Sequence, residues 1–142
     1  MASDQDVVWV PLRFRDVDSF GHVYHAEFLT LLDEARSRWF RDVMRLENPY
    51  DYVLARVEID YVSSIVLADE VVGATFEVER VGRSSLTLGE TMRARDGRVV
   101  SRGRAVTVLR DVTAGTSRPL TDAERARAEA LSSSGPSNFA GP

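Results

Sequence analysis

The chain has no cysteine, no lysine and only two histidines among its 142 residues, and nowhere does it run apolar for long. Without cysteine it can form no disulfide, present no thiolate nucleophile and build no Cys-based zinc site, which is compatible with a reducing compartment. No segment approaches the roughly 18 apolar residues of a membrane-spanning helix, and the acidic start, MASDQD, lacks the apolar core of a signal peptide. The sequence reads as soluble and cytoplasmic, with no membrane partner. All eighteen basic residues are arginine, a bias attributed to genomic base composition. A net charge of -4 argues against nucleic acid as a partner, because such affinity comes mainly from neutralising phosphates.

What is present is enough for one domain. That domain is expected over residues 1–131, followed by a tail, 132–142 (SSSGPSNFAGP), too poor in apolar area to offset its ordering entropy. A first strand is predicted over Val7–Phe14, with Pro11 suiting an edge or a bulge. From Ala26 to about Met44, Phe28, Leu31, Leu32, Ala35, Trp39 and Val43 recur at helical spacing, with Asp33, Glu34, Arg36, Arg38 and Arg41 on the other faces. The period then changes to two. Val53, Ala55, Val57, Ile59 and Tyr61 alternate with the residues between them, then Val72, Ala74, Phe76 and Val78, then Leu86, Leu88 and Met92. Asp96-Gly97 signals a type I′ hairpin, and a last strand runs over Val99–Leu109 with Gly103 marking a bulge or a close backbone approach. Thr121 and Glu124 have capping-box spacing at the start of a short terminal helix. One long helix followed by an antiparallel meander makes an α+β domain in which the helix covers one sheet face.

Two regions carry chemistry. In Arg15–Phe28, RDVDSFGHVYHAEF, Asp18 precedes His25 by seven residues, Gly21 breaks the periodicity between them, and the long helix starts just beyond. Unpaired amides and the positive end of the helix dipole favour negative charge there, including the oxyanion of an acyl-transfer transition state. Between Arg80 and Arg110, eight arginines stand against only Glu90 and Asp96, a local basic surface able to recruit a small phosphate-bearing ligand.

The segment RFRDVDSFGHVYHAEFLTLLDEARSRWF resembles the opening of the hot-dog-fold acyl-CoA thioesterases of the 4-hydroxybenzoyl-CoA thioesterase type, whose D-x-D-x-x-G-x-V pattern precedes a long central helix. Val23-Tyr24-His25-Ala26 is most similar to the branch associated with the Tol-Pal envelope system. Gly82-Arg83-Ser84-Ser85 resembles a weaker second motif. The resemblance implies an antiparallel sheet of about five strands wrapped round one helix, a homodimer or homotetramer, and short-chain or aromatic coenzyme A thioesters as substrates, with no separate cofactor and no metal. It implies Asp18 as catalytic carboxylate, assisted by His25, with Tyr24 beside it in the same loop as a third catalytic candidate. Gly21, Val23, Ala26, Arg83 and Ser84 are expected to bind substrate.

Other roles stay open. Asp18 suits either general-base or nucleophilic attack. Asp16 and His22 read as structural, and Glu27 and Glu34 as helix-surface acids held in reserve for catalysis. An acyl carrier protein thioester is a close variant of the substrate. A hot-dog hydratase or dehydratase is disfavoured because Val23-Tyr24 stands where that family has Asn-Pro. A non-catalytic acyl-CoA-binding module has no evident use for Asp18.

Overall fold

The computed structural model describes residues 6–133. In chain order these form β1 (Val8–Pro11), a single 3-10 turn (Phe14–Asp16), α1 (His25–Asp42), β2 (Tyr52–Tyr61), a second such turn (Leu67–Asp69), β3 (Val71–Val81), β4 (Ser85–Ala94), β5 (Val99–Asp111), β6 (Thr116–Ser117) and α2 (Asp122–Ser133). The long strands pair antiparallel in the order β1-β3-β4-β5-β2, and the short β6 pairs with β5. The sheet curls round α1, which is the hot-dog fold. Pro11 ends β1, an edge strand, where its missing N–H leaves no ladder bond unmade.

Burial of one stripe of α1 drives this wrapping. Phe28, Leu31, Leu32 and Ala35 pack with Val72, Ala74, Met92, Ala94 and Val100. Trp39, Phe40 and Met44 pack further along with Val78, Leu86, Leu88 and Leu109, closed off by Leu120 and by Ala128 of α2. Each such large side chain contributes about 1.5–3 kcal/mol by leaving water. The helix stops at Asp42 because Arg45 turns left-handed at φ 57, and the Leu46 amide returns to the Phe40 carbonyl at 3.0 Å. At α2 the capping box forms as its spacing predicts: the Thr121 amide donates to Glu124 Oε1 at 2.8 Å, and the Glu124 amide to Thr121 Oγ1 at 3.1 Å. Ser132 and Ser133, the first residues of the expected tail, complete α2, and 134–142 lie outside the described residues.

Three local expectations are corrected. Alternation in β2 is not continuous: a bulge between Leu54 and Arg56 shifts the register, so Tyr52 lies on the inner face with Val57 and Ile59, while Val53, Leu54 and Ala55 stay exposed. Tyr52 confirms the shift by packing its ring 4.3 Å from that of Phe40. At Asp96-Gly97 only Gly97 has positive φ, at 93°. Its amide bonds the Ala94 carbonyl at 3.0 Å while the Ala94 amide bonds the Arg98 carbonyl at 2.9 Å, a type I turn with a glycine bulge and not a type I′ turn. Arg36 leaves the polar face of α1 altogether: its side chain is 1% exposed. Gly103 marks a close approach, since a Cβ there would strike the Glu58 carbonyl.

Candidate active site

A short hairpin between Asp16 and Tyr24 builds the site. The Tyr24 amide donates to the Asp16 carbonyl at 3.0 Å and the Asp18 amide to the His22 carbonyl at 2.8 Å, with Val17 and Val23 bridged between them. At the tip Gly21 takes φ 81°, which an L side chain adopts only with strain, and its amide bonds the Asp18 carbonyl at 3.0 Å. Asp18 is half-buried. Its Oδ1 accepts the Phe20 amide at 2.9 Å and the His22 amide at 3.3 Å, an Asx-type turn. Among the described residues no donor reaches Oδ2, which leaves that oxygen available to a water or a substrate.

Val23 is buried and anchors the hairpin by donating its amide to the Ile65 carbonyl at 2.7 Å, while His22 is exposed and bridged to Val66. Tyr24 is the N-cap of α1 and supplies no side-chain cap, and its own amide is spent on Asp16. At the helix start the Tyr24 amide is therefore unavailable to an oxyanion, and the first-turn amides of His25 and Ala26 remain. The Glu27 amide closes on the Tyr24 carbonyl at 2.8 Å. The His25 ring is exposed, 4.3 Å from that of Tyr24 and 6.1 Å from that of Tyr61. Tyr61 in turn meets Phe28 edge-on at 5.0 Å and donates its hydroxyl to the His25 carbonyl at 3.1 Å.

Asp16 is wholly buried. Its Oδ2 accepts the Arg13 amide at 2.8 Å and Nε at 3.3 Å, and its Oδ1 accepts a guanidinium NH2 at 2.9 Å. Burial works to raise its pKa, yet these bonds hold the carboxyl below its ordinary value. Of the reserve acids, Glu34 is paired with Arg38 at 2.8 Å and Glu27 stands in the first helical turn.

Arg83 and Ser84 are not brought to this hairpin within the chain. They form the β3–β4 turn, where the Ser84 carbonyl accepts the Leu109 amide at 2.8 Å, and Leu109 pairs with Tyr52. Tyr61, beside His25, is the other end of the ten-residue β2, about 30 Å along the strand at the usual rise. A cavity of about 430 Å³ opens on the outer face of α1, lined by Thr30, Asp33, Ser37, Arg41, Pro49 and Tyr50 among others, and includes none of Asp18, Tyr24 or His25. Among the described residues no three His, Asp or Glu side chains gather as a metal-binding group.

Two features escape the sequence reading. Tyr61 reads there as the last inward residue of a strand, and nothing in the pattern ties it to the helix start. The buried Arg36–Glu90 pair has a visible signal: Glu90 falls on the inward register of Leu86, Leu88 and Met92, an acid where the alternation calls for an apolar residue.

The model of the thioesterase-like superfamily matches residues 12–131. Among solved structures, a thioesterase from Thermus thermophilus complexed with coenzyme A and Zn is 34% identical, with 89% of this chain and 93% of that chain covered and a TM-score of 0.77. A proposed acyl-CoA thioesterase from Xanthomonas campestris is 32% identical over 72% of this chain and 90% of that chain, with a TM-score of 0.63. A Staphylococcus aureus protein in complex with CoA, 13% identical over 92% and 85% of the two chains at a TM-score of 0.78, shares the fold. No curated protein matches this sequence. On the strength of the family match and of the Thermus relative, the chain belongs to the thioesterase-like superfamily.

Proposed function

We propose that the chain hydrolyses acyl-CoA thioesters to free acid and coenzyme A, with Asp18 as the reacting carboxylate. One observation carries this reading: within a single hairpin, Asp18 keeps one carboxylate oxygen without a donor among the described residues, and the same hairpin ends on helix amides at His25 and Ala26 with no side-chain cap from Tyr24. A thioester needs little help in leaving, because a thiol has a pKa near 8.5. What it lacks is a nucleophile and a place for the oxyanion. Asp18 Oδ2 supplies the first, as base for a water or by direct attack; the two amides supply the second, worth on the order of 3 kcal/mol per donor in other acyl-transfer sites. His25 orients the water or the carbonyl, and Gly21, Val23 and Ala26 shape the loop against which the acyl group rests. The rings of Tyr24 and Tyr61 beside His25 favour short or aromatic acyl groups, as in the 4-hydroxybenzoyl-CoA type that the D-x-D-x-x-G-x-V segment resembles and the Tol-Pal-associated branch that Val23-Tyr24-His25-Ala26 resembles.

The working unit is a homodimer. β2 is an edge strand with Val53, Leu54 and Tyr61 each about two-fifths or more exposed, and an open apolar edge invites a second copy. Antiparallel pairing about a two-fold axis brings the Tyr52 end of one β2 to the Tyr61 end of the other, and with it the partner's β3–β4 turn, so that Arg83 and Ser84 meet coenzyme A phosphates across the interface. The reaction is placed in the cytoplasm and needs no cofactor beyond the coenzyme A of the substrate.

A thiol-release assay over short, long and aromatic acyl-CoA and acyl carrier protein thioesters, with Asp18→Asn beside the parent, tests the reading. Asn keeps the Oδ1 that caps the turn while losing the charge, so the variant should fold and lose at least about 100-fold in kcat. Parental turnover would remove Asp18 from catalysis. A monomer by sedimentation at micromolar concentration, or an Arg83→Ala variant whose coenzyme A affinity shows no salt-sensitive loss, would remove the two-subunit site.

A further inference from the structure

The hairpin that carries the candidate site has two main-chain rungs, Tyr24 to Asp16 and Asp18 to His22. The first rung closes the base of the hairpin at the helix start, and with the second it sets where the Asp18 carboxylate lies. Asp16 stands at the first rung, and its side chain is an unusual one for that place: an acid with 0% exposure on a 3-10 turn of three residues. A charge so placed needs full pairing, and among the described residues every donor to it comes from Arg13, three residues back, through its backbone amide, Nε and NH2, and none from a distant element. The clamp therefore acts on local main-chain geometry: it closes the 3-10 turn and presents the Asp16 carbonyl to the Tyr24 amide.

We propose that Asp16 is a positioning residue, which acts through the hairpin on the Asp18 carboxylate; this rests on Asp18 as the reacting carboxylate. Arg13 is the other half of the device, its guanidinium partly open to water while the carboxylate it holds is sealed.

A double-mutant cycle on the full chain tests this, with Asp16→Asn, Arg13→Gln, Asp18→Asn and the double variants of each of the first two with Asp18→Asn assayed on the best acyl-CoA and checked for folding by circular dichroism. Asp16→Asn should lower kcat at least about tenfold with KM within about threefold, and should add less than about twofold to the loss in Asp18→Asn, since a misplaced carboxylate and an absent one are the same defect. A merely structural residue would give losses that multiply. A folded Asp16→Asn with parental kcat, or full multiplication in the double variant, overturns the proposal. If Asp16→Asn does not fold, Arg13→Gln carries the test: a kcat loss that vanishes in the Asp18→Asn background supports it, and parental kcat overturns it. Parental turnover in Asp18→Asn would instead fell the catalytic reading itself, whereas parental turnover in Asp16→Asn beside an impaired Asp18→Asn fells only the positioning role.

Discussion

Arg36 on α1 grips Glu90 on β4 in a two-point bond, Nε to Oε2 at 2.6 Å and NH2 to Oε1 at 2.7 Å, with both side chains 1% exposed. The remaining guanidinium nitrogen reaches Asp33 at 2.5 Å, at the surface. The pair ties the helix to the middle of the sheet between the two apolar clusters. Burial pushes the Glu90 carboxyl up, and Arg36 offsets that only in part.

Breaking this pair should be far worse than replacing it. Glu90→Ala or Arg36→Ala leaves a buried charge without its partner and should cost about 3–5 kcal/mol in urea unfolding, whereas Arg36→Met with Glu90→Leu should come within about 1–2 kcal/mol of the parent or exceed it. Equal losses in the single and double variants would show that the two groups are not coupled.

Gly103→Ala should loosen β2 from β5. The new methyl has nowhere to go except into the Glu58 carbonyl, so the strands must part. Thermal unfolding should report a loss of about 2 kcal/mol or more; an unchanged melting temperature would mean that the backbone yields freely there.

Tyr61 makes two kinds of contact that substitution can separate. Tyr61→Phe removes the bond to the His25 carbonyl and should lower stability by at most about 1 kcal/mol. Tyr61→Ala also strips the ring from Phe28 and His25 and should lower kcat/KM for aromatic acyl-CoA about tenfold. Full activity in Tyr61→Ala would take this ring out of the acyl site.

Acid should weaken the fold through Asp16 and Glu124. Burial alone would raise both, but the Arg13 bonds at Asp16, and those of Arg118 and Thr121 at Glu124, lower them below the ordinary carboxylate value. Their stabilisation is complete above that value, about pH 4, and is lost as the pH falls through the lower folded-state value. Glu90 has the opposite sign: raised on folding, its contribution is largest at low pH and fades as the pH rises. Urea midpoints between about pH 5 and about pH 3 should therefore fall less steeply in Asp16→Asn than in the parent. Parallel curves would mean that Asp16 titrates alike in both states.

By itself the sequence determined the elements and their class. A period of 3.6 from Phe28 to Trp39, followed by periods of two, is a local property of the chain, and so are the capping box at Thr121 and the turn at Gly97. The turn at Gly21 and the helix start near Asp18 were legible for the same reason, lying within a few residues of it, while the hairpin pairing of Asp16 with Tyr24 was not. What depended on residues far apart in the chain was decided only in three dimensions. The bulge that turns Tyr52 inward, the meeting of Tyr61 with His25, the sinking of Arg36 onto Glu90 and the placing of Arg83 a strand's length from His25 all follow from register between strands, and register is set by which side chains fill the core together.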